Sequence, residues 1–164
     1  MSEETESPAV RPLPLTVHAQ YLKDVSFESP NAPAILRGDA GRPEMKMNIG
    51  MNLRQIEDAE IKDLFEVSLR LRSSARRGDK NAFVAEVEYA ALVTAGSDVA
   101  QEVMHPLLLI EVPRLLFPFA RQILVEMTQQ GGFPPVVIPP VDFQALYLQK
   151  FGKEIEESRQ RAAG

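Results

Sequence analysis

From Glu44 to Arg54 apolar and polar residues alternate without a break, with Met45, Met47, Ile49, Met51 and Leu53 on one side and Lys46, Asn48, Asn52 and Arg54 on the other. A period of two places successive side chains on opposite faces, so this segment is predicted as a half-buried strand. Leu64 to Ala75 repeats the pattern with Phe65, Val67, Leu69 and Leu71 inward, and Arg77-Gly78-Asp79-Lys80-Asn81 supplies the turn into a further strand, Ala82 to Thr94. Earlier in the chain Val17, Ala19, Tyr21, Val25 and Phe27 are set against Thr16, His18, Gln20, Asp24, Ser26 and Glu28. Leu22 and Lys23 break that alternation and mark a bulge.

The last three strands are joined by short connections and form an antiparallel meander, whereas Ser29 to Pro43 is long enough to cross over. The expected fold is therefore α+β: a four-stranded antiparallel Greek-key sheet with the first strand beside the fourth and helices packed on one face. That order puts Asp24 and Glu28 next to Val84 and Glu86 on the outward register, with Asp24 and Glu28 ~13 Å apart along their strand.

After Gly96 the period changes. Asp98 followed by Gln101 looks like a capping pair that opens a helix. Pro106 limits that piece, Pro113 suits the first turn of a second one running to about Gln130, and Gly131-Gly132 stops it. Leu116, Phe119, Ile123 and Met127 recur at helical spacing, while Leu115, Phe117 and Leu124 widen the apolar surface beyond what one small sheet covers. A second subunit is expected to cover the rest. Pro134 to Pro140 forms an extended connector, and Asp142 caps a last helix, Phe143 to about Arg159, with Phe143, Leu146, Tyr147 and Phe151 on one face.

The 164 residues suit one domain. Residues 1–15, acidic and holding Pro8, Pro12 and Pro14, are expected to be a disordered tail, residues 16–160 the domain, and 161–164 a short flexible end. The acidic start lacks the basic and apolar regions of a secretory signal, which places the protein in the cytoplasm. The stretch Val103 to Phe119 is interrupted by Glu111, Arg114 and three prolines, so no stable membrane insertion is expected. A net charge of −5 argues against nucleic acid and for basic protein segments as partners.

No cysteine is present, which removes disulfides, thiol catalysis and Cys-ligated zinc. His18 and His105 lie in different elements, the first as a solvated strand residue and the second marking a helix break before Pro106. Neither a phosphate-binding glycine loop nor a nucleophile elbow occurs, so no catalytic residue and no cofactor are expected. The two Arg-Gly-Asp tripeptides, Arg37 to Asp39 and Arg77 to Asp79, are turn chemistry. Met45, Met47 and Met51 on one register are core residues first, although unbranched thioethers also repack around many shapes.

Four stretches resemble the SecB family of bacterial export chaperones in the same order: Tyr21 to Pro33, Phe83 to Val87, Leu116 to Arg121, and Gly132-Phe133-Pro134 through Val141 to Leu146. The resemblance spans about Val17 to Phe151 and implies a cytoplasmic homotetramer, a dimer of dimers with its central helices between two outer sheets. It also implies ATP-independent holding of unfolded precursor proteins and their delivery to the motor SecA. SecA would dock on Asp24, Glu28, Val84 and Glu86; by the resemblance, zinc belongs to the partner and no metal to this chain. Met45, Met47 and Ile49, with Phe143, Leu146 and Tyr147 from the last helix, would flank the groove for unfolded clients. Ala85, Val87, Tyr89, Leu116, Phe119 and Ile123 would pack between subunits.

Two positions depart from the family pattern: Asp39-Ala40-Gly41-Arg42 stands before Pro43-Glu44 where a tryptophan is common, and Ala85 stands where a cysteine is common. The alternative within the fold is a SecB-like chaperone dedicated to one toxin-antitoxin pair, against which the retained Asp24, Glu28 and Glu86 argue. A small-ligand enzyme would need a buried polar cluster that the sequence does not display.

Overall fold

The computed structural model describes residues 10–38 and 42–164. Strands β1 (Leu15–Glu28), β2 (Glu44–Ile56), β3 (Leu64–Arg77) and β4 (Lys80–Ala95) form one antiparallel sheet in the order β1-β4-β3-β2. Helices α1 (Gln101–Gln130) and α2 (Phe143–Ala163) complete the chain. Among its described residues the crossover between β1 and β2 contains a 3-10 turn, Ala34–Leu36, pinned by burial of Ile35. Asp39, Ala40 and Gly41, and with them the missing tryptophan position and the last residue of one Arg-Gly-Asp tripeptide, lie outside the described residues, as does most of the expected tail.

β2 pairs with β3 residue for residue from Glu44↔Arg76 to Ile56↔Leu64, as its unbroken alternation predicts. β1 has the bulge expected at Leu22 and Lys23 but departs from prediction in a second, earlier one. Its pairing with β4 shifts twice, between Val17 and Ala19 and again between Leu22 and Asp24, so the two irregularities cancel and Val25 and Phe27 return to the face Val17 started on. Between them Ala19 and Tyr21, expected inward, lie on the outer face opposite Leu92 and Ala90, while Gln20 and Leu22 share the inner face with Ala91 and Tyr89.

α1 lies along the inner face over β4 and β3 and reaches β2. It is one helix, where two pieces were expected, with Pro106, Pro113 and Pro118 inside it. Each proline removes a backbone donor and crowds the preceding turn. The offset is burial: Leu109, Val112, Leu116, Ala120 and Leu124 recur every three or four residues and, with Leu108, are fully enclosed against the sheet, at roughly 25 cal/mol per Å² of apolar surface. By length and composition α1 would also cross a bilayer, but here it is the core helix of its own sheet.

Ala100 precedes the helix without a side-chain cap, so the expected Asp98–Gln101 pair does not form. The far end behaves as predicted. Gly132 takes a left-handed conformation (φ 87°), Phe133 N–H donates to the Thr128 carbonyl and Gly132 N–H to that of Gln129, a closing pair of bonds that favours glycine. Asp142 caps α2 by accepting from Ala145 N–H at 3.0 Å. α2 packs beside α1 through Phe143, Leu146, Tyr147, Phe151 and Ile155. It continues to Ala163, past the expected end and through residues expected to be flexible, since nothing after Arg159 breaks a helix.

Candidate functional site

Two hollows of about 420 and 380 Å³ share Met45 and Val137 and form one trough along the inner edge of β2. Met45, Met47 and Ile49 form its sheet wall because inner-register residues of an edge strand have nothing beyond them. Phe83 and Phe133, whose rings lie 5.0 Å apart, close one end. The opposite wall is the connector from Pro134 to Val141. Its four prolines hold it extended and donate no hydrogen bonds. Val136 and Ile138 anchor it in the core, which turns Val137 out, 86% exposed, over the trough.

That assigns the predicted client residues unevenly. Met45, Met47 and Ile49 line the trough; Phe143, Leu146 and Tyr147 do not. Phe143 is buried edge-on against Phe117 at 5.6 Å, and Tyr147 is buried with its hydroxyl 2.7 Å from His105 Nδ1. They hold α2 on α1 and leave no surface for a ligand. His105, expected to mark a helix break, is helical and joins α2 through Tyr147 and an edge-on contact with Phe151 at 5.2 Å. The overlooked wall had a signal, the alternation of Val136, Val137 and Ile138 between paired prolines.

On the outer face of the sheet, ladder pairing puts Glu28 beside Val84 and Ser26 beside Glu86, with Asp24 two residues further beside Glu88. The four predicted docking residues thus share one surface. Asp24 and Glu28 are exposed, Val84 and Glu86 half-buried. The surface is not uniformly acidic: Arg70 reaches Glu88 at 3.0 Å and Glu86 at 3.4 Å, and Arg72 reaches Glu86 at 3.1 Å. Those partners hold the Arg70 guanidinium above its ordinary pKa, the hydrogen bond to Glu88 contributing most.

Further along this face Glu66 is buried, and Lys23, Tyr21 and Arg54 all donate to its carboxylate. Burial by itself would raise its pKa, but the bonds from Lys23 and Tyr21 and the Lys23 charge outweigh it and hold the carboxyl below its ordinary value. The same arrangement, burial first and then the bond to Glu66, pushes the Tyr21 phenol up to about 12. Among the described residues no cluster of His, Asp and Glu is suited to a metal ion.

The residues expected between subunits also divide. Ala85, Val87 and Leu116 are wholly buried inside one protomer, Ala85 and Val87 beneath α1, and have no surface left for a neighbour. Tyr89 and Ile123 are half-buried, and Phe119, 47% exposed, stacks on Tyr89 at 5.8 Å. On this side of the protomer Val17, Leu22 and Val25 of β1 with Leu115 and Phe119 of α1 leave apolar surface uncovered, because α1 leaves β1 largely bare.

Comparison with known proteins gives one consistent family. Residues 8–154 match the family model described as preprotein translocase subunit SecB. The protein-export protein SecB of Rhodospirillum rubrum is 46% identical over 150 residues, covering 92% of this chain and 90% of that one. Its counterpart in Rhodospirillum centenum is 47% identical over 138 residues, covering 84% and 80%. Among solved structures, the SecB-like chaperone of Mycobacterium tuberculosis in complex with a ChAD peptide from an antitoxin aligns with a TM-score of 0.61 at 15% identity, over 77% of this chain and 90% of that chain, a likeness of fold.

Proposed function

Since this chain belongs to the SecB family, we propose that it is an export chaperone that holds unfolded precursor proteins in the trough beside β2 and passes them to SecA from the outer face of its sheet. The trough carries the reading. It is open, apolar and long in one direction, and its connector wall has prolines where hydrogen-bonding groups would otherwise select a sequence. Apolar contact of this kind accepts many extended segments, and unbranched methionines adapt to each.

No hydrolysable ligand is needed, because selection is kinetic: a precursor that folds slowly exposes its apolar segments long enough for capture. The bare inner face of β1 and the flank of α1 support assembly, and we place four protomers together as two dimers, working in the cytoplasm. The face bearing Asp24, Glu28, Val84 and Glu86 lies on the opposite side of the sheet from the trough, which allows client and motor to be held together. Overall relatedness to export proteins favours this reading over a chaperone reserved for one toxin-antitoxin pair, for which the shared fold alone speaks.

Sedimentation of the purified protein with an unfolded precursor and with SecA tests it. Replacing Asp24 and Glu86 by Ala is expected to weaken SecA binding and spare precursor binding. Equal loss of both would reject separate sites, and a folded monomer that ignores unfolded precursors would reject the function.

A further inference from the structure

The outer face of the sheet is electrically split, and the split runs the same way along successive rows. Ladder partners can be followed straight across the four strands in the order β1, β4, β3, β2. One row is Glu28, Val84, Ser74 and Lys46; the next are Ser26, Glu86, Arg72, Asn48 and then Asp24, Glu88, Arg70, Gly50. In all three the carboxylates lie on β1 or β4 and the cations on β3 or β2. Glu66 of β3 opposite Arg54 of β2 keeps that direction, while Lys23 of β1, paired with Glu66, and Arg76 opposite Glu44 at the sheet's end reverse it.

The middle of the face is already neutralised by the pairs that Arg70 and Arg72 make with Glu86 and Glu88. Charge left for a partner lies at the margins: Asp24 and Glu28 on β1, and at the far side Lys46 with its neighbours Arg76 and Glu44, a group of net positive sign, all exposed and without an ion-pair partner among the described residues. Glu28 and Lys46 stand in one row, three strand spacings or ~14 Å apart. A wholly basic surface laid over this face would meet the unpaired cations Lys46 and Arg76 at its far margin, and like charges brought together at an interface are strongly disfavoured.

We propose that the partner docking here is a protein surface of mixed sign, with a basic segment over Asp24 and Glu28 and an acidic segment over Lys46, set across the strands. The inference rests on the motor-docking reading and adds the charge pattern that the motor must bring. Its consequence is orientation: a partner with two signs to match has one favoured way to lie, whereas a partner reading carboxylates alone could slide along β1.

The full-length chain with Lys46→Glu, with Glu28→Lys, and with both changes should be titrated with SecA by calorimetry at low and physiological salt. Each single change is expected to weaken SecA binding about tenfold at low salt, with a smaller effect as screening rises. Unfolded-precursor binding should stay unchanged, since both side chains lie on the side of the sheet away from the trough. If Glu28→Lys weakens binding while Lys46→Glu leaves it unchanged or tightens it, the face recognises cations only, and the mixed-sign proposal falls while motor docking stands. If neither change matters, SecA does not dock on this face and both fail. Loss of precursor binding in parallel would also overturn the proposal.

Discussion

Tyr21 on β1 donates its phenolic hydrogen to the carboxylate of Glu66 on β3, reaching across β4, which lies between them. The small Ala90 opposite Tyr21 leaves room for that reach. Lys23 follows the same path, at 2.7 Å, and Arg54 arrives from β2 at 3.1 Å, so one carboxylate ties together β1, β3 and β2. This depends on the two shifts in β1. Without the first, Tyr21 would lie on the inner face of β1, and Glu66 would be buried with fewer donors.

Acid and alkali should therefore weaken the sheet from the same point. Glu66 has a folded pKa below its ordinary 4.5, so its contribution is complete above that value and is lost as pH falls through the lowered one. Tyr21 has a folded pKa raised from 10.0 to about 12, so its contribution is complete below pH 10 and is lost as pH rises toward 12. In urea unfolding at neutral pH, Glu66→Gln is expected to cost about 1–3 kcal/mol, limited because Lys23 and Arg54 can rehydrate. The variant should also lose the acid limb of the stability curve, and Tyr21→Phe the alkaline limb. A Glu66→Gln protein with unchanged acid sensitivity would show that the limb belongs to other carboxylates.

Gly131 is a packing requirement. Its φ of −72° suits any residue, but a Cβ there would come within 2.2 Å of the Phe27 ring. Phe27 has little room to retreat, being stacked on Phe83 at 5.8 Å and tilted against Phe133 at 6.5 Å. Gly131→Ala is expected to destabilise the protein by about 1–3 kcal/mol through overpacking. The double change with Phe27→Leu should recover part of that loss, as chemical denaturation of the two variants would reveal.

Assembly should depend on surface that the protomer leaves bare. Leu22 and Phe119 are 44% and 47% exposed, so Leu22→Arg and Phe119→Asp burden the monomer little. Each is expected to shift the sedimenting species to a smaller one with its circular dichroism intact, because a charge buried in an apolar contact is costly. Ala85→Ser is expected to act differently: Ala85 is fully enclosed in one protomer, and a hydroxyl there should lower stability without splitting the assembly.

What could be foreseen from residue patterns follows from how local each feature is. β2 was legible from Glu44 to Arg54, two residues short of its end at Ile56, because it has no bulge and its alternation states its register. β1 was legible as a strand with a bulge at Leu22 and Lys23, but its earlier shift between Val17 and Ala19 was not, so Ala19 to Leu22 lie on the faces opposite to those that alternation assigns them. The prolines of α1 argued for two helices on local grounds; continuous packing on the sheet overrode them. The trough was half legible. Its sheet wall is periodic, whereas its other wall is an extended connector whose lining follows from where Val136 and Ile138 find the core.

The two walls can be told apart by substitution. Val137 is almost wholly exposed and Met45 is 42% exposed, so Val137→Asp and Met45→Glu change the trough at little expense to the core. Each places a hydrated carboxylate where an apolar client segment would lie, and each is expected to weaken binding of an unfolded precursor about tenfold, with SecA binding unchanged. Leu146→Ala and Tyr147→Phe touch the seam between α1 and α2, outside the trough. Tyr147→Phe keeps the ring between His105 and Phe151 and removes only the hydroxyl's hydrogen bond with His105 Nδ1, so it should loosen α2 slightly and leave precursor affinity near that of the parent. Fluorescence anisotropy with a labelled unfolded precursor separates the cases. If Tyr147→Phe weakened binding as much as Val137→Asp, clients would be contacting α2 after all, and the connector would not be the wall that holds them.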